Sequence, residues 1–193
     1  MRVKEIFYSL QGEGCHTGRA AIFVRFAGCN LQCPFCDTDF KNGEEITDLE
    51  VLNKIEQLSE DCKFIVLTGG EPTLQVKDDF IRLLQRKGYY VAMETNGTRE
   101  IPQLIDWVTV SPKKHFTRNA EPVVETCNEV KVIFDAENEP DDCGIQANFY
   151  YLQPCDTGNE ERNQEIINKC VEYIKKNPRW KLSLQTQKIL KVQ

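Results

Sequence analysis

The stretch "FVRFAGCNLQCPFCDT", residues 23–38, joins an apolar, strand-like run to a short loop that carries three cysteines. Cys29, Cys33 and Cys36 have the spacing C-x3-C-x2-C, and the loop supplies no fourth cysteine. A closed zinc or iron–sulfur site takes four protein ligands, whereas a catalytic metal site keeps one position open. The spacing therefore indicates either a cluster with an open iron or a zinc site that Cys15 or His16 completes.

The bulk composition is that of an ordinary soluble protein, with 193 residues, 28% of them charged and 40% hydrophobic. This length predicts a single domain over residues 1–193. A net charge of -6 disfavours nucleic acid as a partner, because phosphate neutralisation needs a basic surface. Neither a membrane-spanning run nor a signal peptide is evident, so we expect a cytoplasmic protein with reduced thiols and no membrane partner.

Runs rich in β-branched and aromatic residues alternate with segments of helical periodicity. Strands are expected over residues 21–26, 64–68, 89–95, 107–110, 130–134 and 149–153, with a shorter one at 181–185. Helices are expected over residues 48–58, 78–88 and 163–178. This alternation predicts an α/β fold with a parallel sheet and helices on its outside.

Polar motifs follow the predicted strands, at the edge where parallel α/β folds bind ligands. They are "GGEPT" (69–73), "ETNG" (94–97), "SPK" (111–113) and "LQPCD" (152–156). Glycines let the backbone approach a ligand closely, and Glu71 can accept a hydrogen bond from an ammonium group. Each motif taken singly is more simply explained as a polar loop.

Taken together, the cysteine triplet with Phe35 before its last member and the "GGEPT" motif resemble the radical S-adenosylmethionine (SAM) superfamily. The resemblance implies a partial, TIM-like barrel of about six parallel strands with three main outer helices. It implies a 4Fe–4S cluster on Cys29, Cys33 and Cys36, whose open iron binds SAM and cleaves it to a 5′-deoxyadenosyl radical. The SAM contacts that it implies are Phe35, Asp37, Gly69, Gly70, Glu71, Glu94, Asn96, Ser111, Lys113, Gln153 and Asp156.

A narrower resemblance rests on "YSLQGEG" (8–14), on Arg25 four residues before Cys29, and on "CDT" (36–38), in the same order along most of the chain. These motifs resemble the 7-carboxy-7-deazaguanine synthase family of queuosine and other 7-deazapurine pathways. The family implies conversion of 6-carboxy-5,6,7,8-tetrahydropterin to 7-carboxy-7-deazaguanine with loss of ammonia. It also implies Mg²⁺ on Thr38, a homodimer and a one-electron donor such as flavodoxin. The substrate contacts that it implies are Leu10, Gln11, Gly12, Glu13, Arg25, Thr68 and Gln187.

The residue types suit such a substrate. Arg25 can pair with a carboxylate through two hydrogen bonds, and its place in a buried strand disfavours an ordinary surface ion pair. Glu13 can accept N–H groups from a pterin ring. Thr38 could equally cap a helix. Gln187 stands where the family often has histidine, and glutamine does not titrate near neutral pH.

Two other functions compete with this interpretation. A radical SAM activase that makes a glycyl radical on a partner protein would share the cluster and the barrel. "QGEG" and Arg25 argue against it, since a protein substrate needs no carboxylate clamp. A zinc-binding interaction module without catalysis would use the same cysteines.

Overall fold

The computed structural model describes residues 1–36 and 39–192. Its strands are β1 (Arg2–Leu10), β2 (Ala20–Phe26), β3 (Glu44–Glu45), β4 (Phe64–Gly69), β5 (Tyr90–Thr95), β6 (Trp107–Val110), β7 (Thr126–Phe134), β8 (Gln146–Pro154) and β9 (Lys181–Leu182). Its α-helices are α1 (Asp48–Leu58), α2 (Asp78–Arg86), α3 (Glu160–Lys176) and α4 (Thr186–Leu190). Single 3-10 turns cover Gly14–His16 and Pro72–Leu74.

The described strands form one sheet in the order β3-β1-β2-β4-β5-β6-β7-β8-β9. From β2 through β9 the neighbours in this order are parallel, whereas β1 runs antiparallel to β2 and β3 runs antiparallel to β1. Strands β2, β4, β5, β6, β7 and β8 are the six long parallel strands, and α1, α2 and α3 are the three long helices. The predicted partial barrel is therefore confirmed.

Three local predictions need correction. Strand β1 lies in a segment where the sequence had predicted no strand, and it pairs with β2 along most of its length. The strand expected at residues 181–185 is only Lys181–Leu182, and the chain then enters the unpredicted helix α4. The spacing of Leu49, Leu52, Ile55 and Leu58 predicts that these side chains form the buried stripe of α1. The buried side chains are instead Val51, Leu52 and Ile55, whereas Leu49 is 62% exposed, so the buried face is rotated from that stripe.

The start of helix α1 is determined by its local sequence. Thr47 accepts a hydrogen bond from the Glu50 N–H, and the Glu50 carboxylate accepts one from the Thr47 N–H, which is a capping box. The helix then buries its apolar face against the outside of the sheet, where Val24 and Leu67 belong to the same core cluster. Because side chains alternate across a strand, the neighbours of these core residues point to the opposite, inner face.

The inner face carries a polar row across the barrel. Arg25 pairs in register with Thr68, and Glu94 pairs with Thr109, which in turn pairs with Glu129. Thr109 and Glu129 are buried, as are their outward-facing neighbours Val110 and Val130. The same strands thus supply an apolar outer core and a polar interior.

Within the described part of the chain, helices are too short or too polar to cross a lipid bilayer.

Candidate active site

A cavity of about 510 Å³ opens at the carboxyl ends of the parallel strands. Its wall is built from the cysteine loop after β2, from the ends of β4, β5 and β8, and from the segment after β6. Most residues predicted from sequence line it. They are Glu13, Arg25, Cys29, Cys33, Phe35, Cys36, Thr68, Gly69, Gly70, Glu94, Asn96, Ser111, Lys113, Gln153, Asp156 and Gln187.

Other predicted site residues lie elsewhere. Glu71 and Gln11 are buried behind the wall, and Leu10 is at the exposed end of β1. Gly12 contacts the C-terminal segment through its carbonyl oxygen. Asp37 and Thr38, predicted to contact SAM and Mg²⁺, lie outside the described residues.

Backbone packing fixes the start of the cysteine loop. The Gly28 carbonyl accepts the Glu71 N–H at 2.9 Å, and the Gly28 N–H donates to the Phe40 carbonyl at 2.9 Å. A Cβ on Gly70 would lie 1.9 Å from the Gly28 oxygen, and one on Gly69 would lie 2.5 Å from the Phe26 backbone. The two glycines of "GGEPT" therefore let the end of β4 pack directly on the cysteine loop. The sequence did not reveal this backbone contact within the chain.

The cysteine side chains suit a metal cluster beside an anionic ligand. Burial raises the pKa of the Cys29 and Cys33 thiols, and the positive charge of Lys113 opposes this for Cys33. The Leu31 N–H donates to the Cys29 Sγ at 3.4 Å. Burial lowers the pKa of Lys113 to about 8 even though Cys33 raises it. Three thiols of one short loop that face one cavity are the donor set that a 4Fe–4S cluster takes when it leaves one iron open.

A zinc site at these cysteines would need Cys15 or His16 as its fourth ligand. The His16 ring lies 4.9 Å from the Phe64 ring and 4.5 Å from the Trp107 ring, between centroids. Phe64 and Trp107 are the first residues of β4 and β6, so His16 is at the amino ends of the strands, opposite the cysteine loop. The Cys15 N–H is held by Glu129 at 2.9 Å. The cysteine loop and the candidate fourth ligand His16 thus lie at opposite ends of the strands, which disfavours a zinc site that joins them.

The fully buried Glu71 carboxylate ties two strand ends together. One oxygen accepts the Thr73 N–H at 3.1 Å and the hydroxyls of Thr73 and Thr95 at 2.7 Å each, and the other accepts the Asn96 N–H at 2.8 Å. The Asn96 amide in turn donates to Asn30 in the cysteine loop at 3.0 Å. Direct contact between Glu71 and SAM stays a prediction, and the observed contacts give this carboxylate a role in positioning the loop.

Charged side chains meet in the barrel interior. The ammonium group of Lys131 is in close contact with a Glu13 carboxylate oxygen and lies 3.8 Å from a Glu94 oxygen. Burial raises the pKa of Glu13, but the charge of Lys131 and the amides of Gln187 and Gln185 outweigh it and hold this pKa at about 2. Burial lowers the pKa of Lys131, whereas Glu13 and Glu94 raise it more strongly, above its usual value. Glu13 is therefore an anion throughout the physiological pH range.

Arg25 faces the same cavity from β2. Its Nε donates to the Glu5 carboxylate at 2.7 Å across the β1–β2 pair, and its side chain is 25% exposed. In the described part of the chain, Arg25 contacts Glu5 through its Nε. Its two Nη groups can therefore bind a substrate carboxylate through two hydrogen bonds.

The C-terminal segment closes over the "QGEG" loop. The Thr186 N–H and hydroxyl both donate to the Gly12 carbonyl, at 3.0 and 2.9 Å. The side-chain amides of Gln185 and Gln187 donate to one Glu13 oxygen at 3.1 and 3.0 Å. A Cβ on Gly12 would lie 1.8 Å from the Gln187 side-chain oxygen and 2.8 Å from the Gln187 backbone nitrogen, so a larger residue there would displace the C-terminal segment. Gln187 thus lines the cavity, and its contact with the substrate stays a prediction.

Sequence reasoning missed several functional candidates. Glu129 and Lys131 alternate with apolar residues in β7, the pattern that marked Arg25 in β2, so the same reasoning could have found them. Glu5 and Gln185 carried no comparable local signal, because their partners, Arg25 and Glu13, come from distant parts of the chain.

Residues 23–180 match the family described as the radical SAM superfamily. The chain belongs to this superfamily, so a 4Fe–4S cluster and SAM are its cofactors. A protein of Bacteroides thetaiotaomicron named 7-carboxy-7-deazaguanine synthase is 40% identical over 99% of this chain and 98% of its own length. One of the same name from Haemophilus influenzae is 38% identical over 99% of this chain and 93% of its own. Within the superfamily, the chain belongs to the 7-carboxy-7-deazaguanine synthases.

The fold agrees with that assignment. The crystal structure of QueE from Escherichia coli superposes with a TM-score of 0.75 and 26% sequence identity, and the match covers 95% of this chain and 93% of that one. The prediction of a radical SAM lyase, drawn from the motifs, is confirmed.

Proposed function

We propose that this enzyme converts 6-carboxy-5,6,7,8-tetrahydropterin to 7-carboxy-7-deazaguanine with release of ammonia, as in queuosine and other 7-deazapurine pathways. One observation supports the proposal most strongly: the cluster cysteines, the Arg25 guanidinium and the Glu13 carboxylate line the same cavity. A carboxylate-bearing, N–H-rich ring fits between the cation and the anion. The activase alternative receives no comparable support, because these interior charges suit a small molecule.

Cys29, Cys33 and Cys36 would hold the cluster, which together with SAM supplies a radical that abstracts hydrogen from the substrate when both are bound. Lys113 places a positive charge beside Cys33, where the SAM carboxylate would bind, and its ammonium group donates to the Ser111 carbonyl at 2.9 Å. Gln153 and Asp156 complete this wall from the end of β8. The remaining predicted SAM contacts stay predictions.

For the substrate, Arg25 would bind the carboxylate, and Glu13 would accept N–H groups from the ring. Glu94 is expected from the sequence to contact SAM, but its partners Gln11, Thr68 and Lys131 lie on the substrate side of the cavity, so we assign it to the substrate instead. Glu94 and Thr68, joined by a hydrogen bond of 2.9 Å, offer the ring further polar contacts. Because the cavity wall is preformed by hydrogen bonds, it orients the ring without a large ordering cost on binding.

Several predictions stay proposals. They are Mg²⁺ on Thr38, which lies outside the described residues, a homodimer, a one-electron donor such as flavodoxin, and a single catalytic domain over residues 1–193. Magnesium takes few protein ligands and keeps several waters, so one hydroxyl plus substrate oxygens is chemically reasonable.

The decisive experiment is anaerobic incubation of the reconstituted enzyme with dithionite, SAM, Mg²⁺ and the carboxytetrahydropterin, followed by mass spectrometry. We expect the deazapurine product and 5′-deoxyadenosine. Cys33→Ala should lose the cluster, measured as iron and sulfide content, and both products with it. A fully loaded wild-type enzyme that binds SAM but leaves the pterin unchanged would contradict the proposal.

A further inference from the structure

We propose that Lys131 is a positioning residue of the substrate pocket: its ammonium group keeps Glu13 ionised and fixed in orientation, so that Glu13 and Glu94 present acceptor oxygens to the substrate ring. The proposal rests on the proposed function, because it assumes that Glu13 meets the ring.

Its first support is burial. The side chains of Lys131, Glu13 and Glu94 are 6%, 14% and 25% exposed, and all three line the cavity. An isolated ion in such a place is strongly disfavoured, so Lys131 and Glu13 each depend on the other for their charge. Lys131 is the cation that touches both carboxylates.

Its second support is the count of acceptor positions. A carboxylate offers about four lone-pair sites. In Glu13, one oxygen accepts the amides of Gln185 and Gln187, and the other meets Lys131. In Glu94, Gln11 donates to one oxygen at 3.0 Å and Thr68 to the other at 2.9 Å. Glu13 therefore retains about one acceptor site and Glu94 about two, and these sites flank a single cation.

The surrounding charges explain why Lys131 is needed. Glu94 approaches from β5, Glu129 lies on the same face of β7 as Lys131, and the C-terminal segment contributes only the neutral amides of Gln185 and Gln187. Lys113 is the further cation that acts on Glu13. Removal of Lys131 would leave carboxylates facing one another without a compensating cation, and their repulsion would favour protonation of one of them. A protonated carboxyl donates a hydrogen bond and no longer matches a ring N–H.

The test is steady-state kinetics of Lys131→Met, Lys131→Arg and Glu13→Gln on the reconstituted enzyme between pH 6 and 8. Lys131→Met should raise KM for the pterin at least about tenfold, and more at pH 6 than at pH 8, because low pH protonates the uncompensated pair. Lys131→Arg should restore a KM independent of pH. For these variants the cluster content and the Kd for SAM should match wild type. The control is Lys54→Met, which removes an exposed lysine that also pairs with a glutamate, and all of its values should match wild type.

The double variant Glu13→Gln/Lys131→Met covers the case in which Lys131→Met does not fold, since it removes the Glu13 charge together with the ammonium group. If Lys131 acts through Glu13, its KM should equal that of Glu13→Gln within about threefold. A wild-type KM for Lys131→Met, a KM increase without pH dependence, or additive losses in the double variant would each overturn the inference. These results are distinct from failure of the proposed function, in which the wild-type enzyme itself would leave the pterin unchanged.

Discussion

At the scale of single residues, the interior of this barrel is unusual in its charges. Arg25 pairs with Glu5, and Lys131 pairs with Glu13 and Glu94, all of them beside the cavity. A buried pair such as Lys131–Glu13 contributes little net stability because desolvation offsets most of the attraction, and a partly exposed pair such as Arg25–Glu5 contributes little because solvent screens it. Apolar residues would fill the same space at least as favourably, so we attribute these charges to ligand binding.

Arg25 offers the first prediction. Arg25→Lys keeps the charge but loses the planar pair of donors, and Arg25→Gln loses both. We expect KM for the pterin to rise about tenfold for the lysine variant and about a hundredfold for the glutamine variant, because charge-assisted hydrogen bonds contribute about 1.5–3 kcal/mol. Isothermal titration with SAM should give the wild-type Kd. Arg82→Lys, an exposed residue of α2 in its own ion pair, is the matched control; equal losses of SAM and pterin binding would rule out separate roles.

At the scale of elements, the ends of strands are fastened to one another by side chains and not only by the sheet. Glu71 links the end of β4 to that of β5, and through Asn96 to the cysteine loop. Helix α4 similarly fastens the end of the chain to the "QGEG" loop after β1. These contacts hold segments whose own backbone conformations are irregular.

Glu71→Gln tests the first fastening. An amide has one acceptor oxygen and brings two N–H groups that face donors, so the buried network loses hydrogen bonds. We expect the free energy of unfolding to fall by about 1–3 kcal/mol in urea titrations, with lower cluster occupancy after reconstitution. The exposed Glu60→Gln should change neither quantity. Weaker SAM binding at wild-type stability would instead favour direct contact between Glu71 and SAM.

Gln187→Glu tests the attachment of helix α4 to the "QGEG" loop. The substitution sets a carboxyl against the Glu13 oxygen that now accepts the Gln187 amide at 3.0 Å. Like charges in a half-buried site repel, so KM for the pterin should rise at pH 8 and recover as the pH falls, because the protonated carboxyl can again donate. Gln164→Glu, the same change on the exposed face of α3, should leave KM unaffected. A KM that does not vary with pH would show that Gln187 does not act through Glu13.

At the scale of the whole molecule, the sheet has two different faces. Helices cover an apolar outer face, while a polar inner face receives the loop from β1 at one end and the cysteine loop at the other. An incomplete barrel leaves this interior open, which allows the cavity to reach the middle of the strands. The charges that suit ligand binding also make the fold sensitive to acid.

Acid unfolding follows from two carboxyls. Burial raises the pKa of Glu13 but Lys131 and two amides hold it at about 2, and hydrogen bonds from Lys188, Gly158 and Asn163 hold that of Asp156 at about 2. Both pKa values lie below the ordinary values of 4.5 and 3.8. As the pH falls, these carboxyls therefore bind protons in the unfolded chain before they do so in the folded protein. Their stabilisation should be complete above about pH 5 and lost as the pH falls towards 2.

Anaerobic urea unfolding of the protein between pH 7 and 3 measures this loss. Asp156→Asn should flatten the decline, because one of the two carboxyls is then absent, whereas the exposed Asp61→Asn should leave the curve parallel to wild type. An unfolding free energy that stays constant down to pH 3 would contradict the assigned ion pairs.

The sequence by itself determined what depends on neighbours along the chain: the cysteine spacing, the positions of six parallel strands and three helices, and the polar motifs at the strand ends. Only the tertiary structure decided that Glu71 holds strand ends, that Lys131 pairs with Glu13 over 118 positions, and that Gln185 reaches the same carboxylate over 172. Periodicity reports which face of an element is apolar, and side-chain partners across such separations depend on register and barrel curvature, which no local pattern encodes.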